Sequence, residues 1–198
     1  GAIVAGAMAA AGALADARLD AALRASGVGL AAHLGATRST VPRCVVLADV
    51  GGDLDELGRR AAAAVHAGAQ LVKVKVVPGH DVAPVAAVRR CVGEVPVAAD
   101  ANGSYRGPEE LAELDALGLA YLEQPFAPGA SWAELAELHA PLRTPVALDE
   151  SLTSPDAVRS AVSGGALDVV SVKPARLGGV AAAATVVRLA QAAALPCF

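Results

Sequence analysis

The segment Leu71-Val72-Lys73-Val74-Lys75-Val76-Val77 restricts this chain more than any other, because it reads as a buried β-strand and yet carries two lysines on one face. Side chains alternate along a strand, so Val72, Val74 and Val76 point one way, toward covering helices, while Lys73 and Lys75 point the other. Burying an ammonium without a partner is costly, so the lysine pair requires carboxylates aimed at the same place.

Such carboxylates follow at a regular interval. Asp100 ends Val97-Ala98-Ala99, Glu123 ends Tyr121-Leu122, Asp149 ends Val146-Ala147-Leu148, and a further lysine, Lys173, ends Val169-Val170-Ser171-Val172. From Lys75 onward the steps are 25, 23, 26 and 24 residues, about one strand, one helix and two short loops. Each charge sits at the C-terminal end of an apolar run and is followed by a polar or Gly/Pro-containing loop.

The segments between read as helices. Residues 2–25 form an Ala-rich helix closed near Gly27 and Gly29, and its first fifteen uncharged residues suit a packed core helix better than a signal peptide, which needs a basic start. Residues 41–48 give the first strand, and Asp53 caps a helix running to about His66 and stopped at Gly68. Further helices are expected over 81–92, from Pro108 to Gly118, from the capping box at Ser131, and from Ser154-Pro155 to Gly164. After Lys173 the loop 174–179 leads into a helix to about Leu195, and Pro196-Cys197-Phe198 looks like the opening of another strand.

Six strand-helix units in succession, with no composition shift to mark a linker, imply a parallel α/β sheet. An open sheet spreads its strand ends along an edge, whereas a barrel brings them to one mouth, so convergent charges favour a (β/α) TIM-type barrel. Ala98, Ala147 and Ser171, two positions before the charges, are slender enough for a crowded barrel interior. The expected organisation is a leading helix and connection over 1–40 and barrel units over 41–198.

Composition excludes several other classes. With 55% hydrophobic residues the chain is not disordered, and a net charge of −4 offers no basic surface for nucleic acid. No apolar run reaches the roughly 20 residues a membrane span requires. Three distant cysteines, Cys44, Cys91 and Cys197, lack metal or redox spacing and read as unpaired packing thiols of a reducing cytoplasm. His33, His66, His80 and His139 are scattered and read as surface or structural.

Three carboxylates from consecutive strand ends can hold a hard divalent cation through oxygen, with Mg²⁺ the default and Mn²⁺ the alternative. Singly, Asp100 could be a turn residue and Glu123 a strand terminus; in register between two lysine-bearing strands they form a set. Lys75 and Lys173 then flank the cation, and a lysine confined beside a cation can serve as a base at neutral pH.

The motifs Lys73-Val74-Lys75, Asp100-Ala101-Asn102, Glu123-Gln124-Pro125, Asp149-Glu150-Ser151 and Lys173-Pro174-Ala175-Arg176-Leu177-Gly178-Gly179 resemble the signature set of the enolase superfamily, muconate-lactonizing-enzyme subgroup. Within it they are most similar to the o-succinylbenzoate synthases and N-acylamino acid racemases. Enolase-superfamily sites are a standing example of a lysine base working beside Mg²⁺ on an ene-diolate, so the likeness carries the expectation of proton removal α to a carboxylate.

The resemblance implies a (β/α)7β barrel, with Asp100, Glu123 and Asp149 as Mg²⁺ ligands, Lys75 as acid/base, and Lys173 as the opposite base or a stabilising cation. Lys73 would support the substrate carboxylate or the ligands, Asn102, Glu150 and Ser151 would lie behind the site, and Arg176 is read as structural. It further implies a cytoplasmic lyase that dehydrates 2-succinyl-6-hydroxy-2,4-cyclohexadiene-1-carboxylate to o-succinylbenzoate in menaquinone biosynthesis, with racemase or cycloisomerase activity as the alternative. The partner is a small carboxylate substrate, with neither nucleic acid nor membrane; a homo-oligomer stays open.

Family members also carry an N-terminal α+β capping domain, which nothing before the first helix supplies, and the chain stops at a seventh strand, so an incomplete barrel is expected. Two readings of other kinds compete: a Schiff-base aldolase using Lys173, and a non-catalytic barrel fragment or pseudoenzyme.

Overall fold

The structure, a computed structural model, describes residues 2–49 and 52–198, positions 2–5, 7 and 8 as backbone alone. Among these residues six strands, β1 (Cys44–Leu47), β2 (Leu71–Lys75), β3 (Val97–Asp100), β4 (Leu122–Glu123), β5 (Val146–Leu148) and β6 (Val169–Val170), pair in chain order into one parallel sheet. Consecutive parallel strands need a crossover, and each interval supplies one. Helices α1 (Ala2–Ser26) and α2 (Leu30–His33) precede β1; α3 (Leu54–His66) and α4 (Val82–Val92) follow β1 and β2. A 3₁₀ turn (Pro108–Leu111) continuing into α5 (Ala112–Asp115) follows β3, then α6 (Trp132–His139) and α7 (Pro155–Ser163), and after β6 come α8 (Pro174–Leu177) and α9 (Val180–Ala192).

Strand alternation divides the protein into two apolar layers. Val72, Val74, Val97, Ala99, Leu122, Val146, Leu148 and Val170 face the helices, where they pack with Leu57, Val85, Val88, Leu135, Val158 and Val186. The other face holds Ala98, Tyr121, Ala147 and Val169, with Leu71 packed against them. Lys73 lies among these inward positions and is buried, as the alternation requires. The last residues continue the sheet: Cys197 bridges Val170 in parallel, and the Val170 N–H donates to the Pro196 carbonyl at 3.0 Å.

The helix starts follow their capping residues. Asp53 accepts from the Glu56 N–H at 2.9 Å, Ser154 accepts from the Ala157 N–H at 3.1 Å, and Ser131 with Glu134 forms a reciprocal capping box. Between α3 and α4 the close approach needs Gly58, where a Cβ would lie 2.7 Å from Cys91 Sγ.

Four expectations require correction. The helix from Pro108 to Gly118 is only a 3₁₀ turn and one α turn: Leu111 and Leu114 are its fully buried anchors, and Gly118 ends the segment at φ +63°. The loop after Lys173 contains the helical turn α8. Helix α1 is not a core helix: among its described side-chain positions only Gly12 is buried, with Ala9, Asp16, Leu19 and Leu23 half-buried on the same stripe. The three cysteines are unpaired as expected but exposed, Cys44 lying on an edge strand and Cys197 beside the last residue.

Asp115 ties the chain together at the far end of the sheet, accepting from the Thr144 N–H at 2.7 Å and the Arg143 N–H at 3.1 Å just before β5. Partial burial works against its charge, but these hydrogen bonds hold its carboxyl below the usual range. A depressed carboxyl stabilises fully above its unfolded pKa and loses that contribution as pH falls through the folded value. Asp115→Asn is therefore expected to lower the urea midpoint at pH 7 and to leave it nearly unchanged near pH 2, measured as denaturation curves across that range.

Candidate active site

The strand register assembles the charges. Lys75 lies opposite Asp100 across the β2–β3 pair, and Asp100 lies opposite Glu123 across β3–β4. Asp149 follows β5 directly, and Lys173 is the N-cap of α8 just beyond β6. Parallel strands place all five at the C-terminal end of the sheet, and even-numbered spacing within a strand turns Lys73 and Lys75 inward together.

Each carboxylate is buried and each meets a cation. Lys75 Nζ donates to Asp100 Oδ2 at 2.7 Å, and Lys173 Nζ donates to Asp149 Oδ2 at 2.7 Å. Lys73 donates to Glu123 and stands 4.0 Å from Asp100, joining the two acids. Lys75 and Lys173 therefore engage the first and last carboxylates of the row, with Glu123 and Lys73 between them. Asp100, Glu123 and Asp149 are 4%, 2% and 2% exposed, which makes these pairs obligatory.

Burial, reinforced by the charges of Asp100 and Asp149, pushes the Glu123 carboxyl up despite the hydrogen bond from Lys73. Asp149 behaves oppositely: burial also opposes its charge, but hydrogen bonds from Arg176 and Lys173 outweigh it and hold the carboxyl below its ordinary value. Burial likewise raises the Tyr121 hydroxyl, on the inward face below Glu123. The Tyr121 ring stacks on Phe198 at 4.8 Å, and Lys73 Nζ lies 5.1 Å from the Phe198 ring centre.

The remaining expected residues fall around this row. Asn102 accepts from Lys75 and donates to Glu150 at 2.7 Å, bridging the loops after β3 and β5. Ser151 accepts from Gln124 Nε2 at 2.8 Å. Beside Lys75 a cavity of about 290 Å³ opens, lined among others by Asp49, His80, Asn102 and Ser104. His80, read as surface or structural, has Nε2 2.9 Å from Asp49 Oδ2 but off the hydrogen-bonding direction.

Three contributors escaped the sequence reading. Arg176, taken as structural, donates to Asp149 Oδ1, and Ser171 donates to the same oxygen at 3.0 Å. Gln124 is fully buried at φ +40°; its Oε1 accepts from the Asp149 and Ser151 N–H groups at 3.0 and 3.1 Å, and its Nε2 donates to the Phe126 carbonyl. A usable signal existed in Gln124: a polar residue between a strand-end acid and a proline has backbone groups to satisfy on both sides.

The donor set fits a hard divalent cation, being three buried carboxylates on neighbouring strand ends with no sulfur or imidazole among them. Among the described residues, however, no three such groups are gathered as a ready-made cage, because their oxygens turn toward Lys73, Lys75, Lys173 and Arg176 instead.

A parallel (β/α) barrel protein with a lysine, a row of carboxylates and a second lysine along its strand ends is the class that this fold and site define. The chain belongs to the enolase C-terminal domain-like family, whose model matches residues 56–198. It is 39% identical over 171 residues to an N-succinylamino acid racemase of Amycolatopsis sp, covering 85% of this chain and 46% of that protein. To the o-succinylbenzoate synthase of Bacillus subtilis (strain 168) it is 37% identical over 155 residues, covering 77% and 41%. The structure superimposes on an L-talarate dehydratase from Polaromonas sp. JS666 complexed with Mg and L-glucarate at TM-score 0.83 and 27% identity, covering 96% of this chain and 53% of that one. The chain thus spans less than half the length of these two curated relatives. No helix among the described residues is long and apolar enough to cross a membrane.

Lys73→Met removes the cation from Glu123 and is expected to cost about 3–5 kcal/mol in metal-free buffer. A carboxyl with a raised folded pKa contributes fully below its unfolded pKa and loses that contribution as pH rises through the folded value. The gap between wild type and Lys73→Met should accordingly widen from pH 4 to pH 8 in chemical denaturation; a gap that narrows would place the buried charge elsewhere. Gln124→Ala, which leaves two buried N–H groups without acceptors, is expected to lose at least about 2 kcal/mol by the same measurement.

Proposed function

We propose that the whole protein is a Mg²⁺-dependent enzyme that removes a proton α to a carboxylate, with o-succinylbenzoate synthesis by dehydration of 2-succinyl-6-hydroxy-2,4-cyclohexadiene-1-carboxylate as its reaction. The observation that carries this reading is the placement of Lys75 and Lys173 on the first and last members of a row of three buried carboxylates. The similarity to the synthase of Bacillus subtilis supports the substrate.

Asp100, Glu123 and Asp149 would hold the cation, which when bound supplies fixed positive charge to bind a substrate carboxylate and stabilise the charge that develops on it. Lys75 takes the α-proton on Nζ; the C–H electron pair is delocalised onto the substrate carboxylate and then closes the new ring double bond as the C–O bond breaks. The proton passes to the departing hydroxide as water, which restores the amine. Lys173 stabilises the developing charge as an ammonium, and Lys73, hydrogen-bonded to Glu123, favours its ionised form against burial and holds it in place. Asn102 orients Lys75 while Glu150 holds Asn102.

A second reading is racemisation of N-succinylamino acids, favoured by the Amycolatopsis relative and by the presence of an amine at each end of the row. In that reaction one lysine removes the α-proton from one face and the other returns a proton to the opposite face. Both substrates carry a succinyl group and an α-proton beside a carboxylate, so one site can serve both.

Full-length protein given each substrate is expected to lose activity in EDTA and to regain it with Mg²⁺ or Mn²⁺. Lys75→Ala should lower kcat by about 10²–10⁴-fold in dehydration, and Lys173→Ala should abolish racemisation. Racemisation without dehydration would reject the synthase, whereas EDTA-insensitive activity with borohydride labelling of Lys173 would reject both in favour of Schiff-base chemistry.

A further inference from the structure

We infer that Asp16 and Gly12, on α1, are positioning residues for Lys173 and set the rate of proton exchange on the substrate face that Lys173 serves; this rests on the two-lysine racemase reading above. Lys173 is mounted on α8, a helix of four residues, too short to hold its own shape. The same turn carries Arg176, so both cations that reach Asp149 from this side depend on where α8 stands.

Two contacts from the opposite end of the chain fix that turn. Gly12 lies so close to the α8–α9 junction that a Cβ there would stand 2.8 Å from the Gly178 carbonyl carbon and 2.9 Å from the Gly179 nitrogen. One helical turn later, Asp16 Oδ1 accepts from the Val180 N–H at 2.8 Å, across 164 residues of sequence. Gly179, the N-cap of α9, has no side chain to cap with, so a carboxylate from α1 does this work at the positive end of that helix. The junction is strained toward glycine, with Gly178 at φ +96° and Gly179 at φ +113°, so its shape is not self-enforcing.

Positions 9, 12, 16, 19 and 23 are the more buried of α1's described side-chain positions, at helical spacing, so the helix offers α8 and α9 one defined face. Lys75 has no such dependence. It stands on β2, which pairs with β1 on one side and β3 on the other within the sheet. Loosening the α1 contact should displace Lys173 and leave Lys75 in register.

The test reads the two faces separately. Full-length protein with Mg²⁺ is incubated in D₂O with each enantiomer of an N-succinylamino acid, and α-proton loss is followed by NMR. A lysine amine removes the proton, the resulting ammonium exchanges with solvent, and a deuteron returns to carbon. The enantiomer that Lys173 deprotonates is identified as the one whose exchange Lys173→Ala abolishes. In Asp16→Ala and in Gly12→Ala, exchange of that enantiomer is expected to fall by about 10- to 100-fold, the scale of a roughly 1 Å misplacement, with the Lys75 enantiomer changed less than about 2-fold. Asp16→Asn, which retains an acceptor oxygen, should recover most of the loss.

Either alanine variant, if folded, decides the matter. Equal slowing of both enantiomers, or of neither, overturns the inference, as does loss of folding in both variants, which would make α1 a global structural element. Wild-type protein that exchanges neither enantiomer overturns the two-lysine reading itself and the inference with it.

Discussion

Three carboxylates taken out of water at neighbouring strand ends repel one another and lose their hydration, and the structure accepts this only because cations are built into the same seam. Lys73 joins Glu123 and Asp100, Lys75 holds Asp100, and Lys173 with Arg176 holds Asp149. Replacing such a seam by apolar residues often stabilises a protein, so stability alone does not account for it. Much of the local architecture follows from it: slender Ala98, Ala147 and Ser171 beneath the charges, strands in strict chain order, and short polar turns above.

The division of labour between the two faces of the sheet explains how an ordinary α/β core coexists with this seam. Valines and leucines at alternate positions pack against the helices and supply the apolar burial, while the intervening positions are free to carry charge. Stability and chemistry are thereby assigned to different side chains of the same strand.

Much of this was legible in the sequence because period-two alternation and a near-constant interval are local signals. Lys73 and Lys75 declared a buried ionic face, and each later charge announced a strand end. What the sequence withheld depends on where distant segments meet. Arg176 sits one helical turn beyond Lys173, and nothing in its neighbours says that it will turn back to Asp149 rather than to solvent. Helix α1 is rich in alanine, which suits a core, yet among its described side-chain positions the more buried ones form one stripe, and Arg18, Asp20 and Arg24 lie exposed off it. The segment after β3 has the proline and acidic start of a helix but just two fully buried leucines, Leu111 and Leu114, to anchor its turns, so tertiary packing left it as short turns.

Gln124 has a mechanical consequence. Its side-chain carbonyl is shared by the backbone of Asp149 and Ser151, while its own backbone continues directly from Glu123. The turns after β4 and β5 are thus braced by a crossbar, and two of the three acids shift as one body. A ligand that tugs on either acid transmits the pull to the other, so the spacing between them is kept while the pair as a whole adapts.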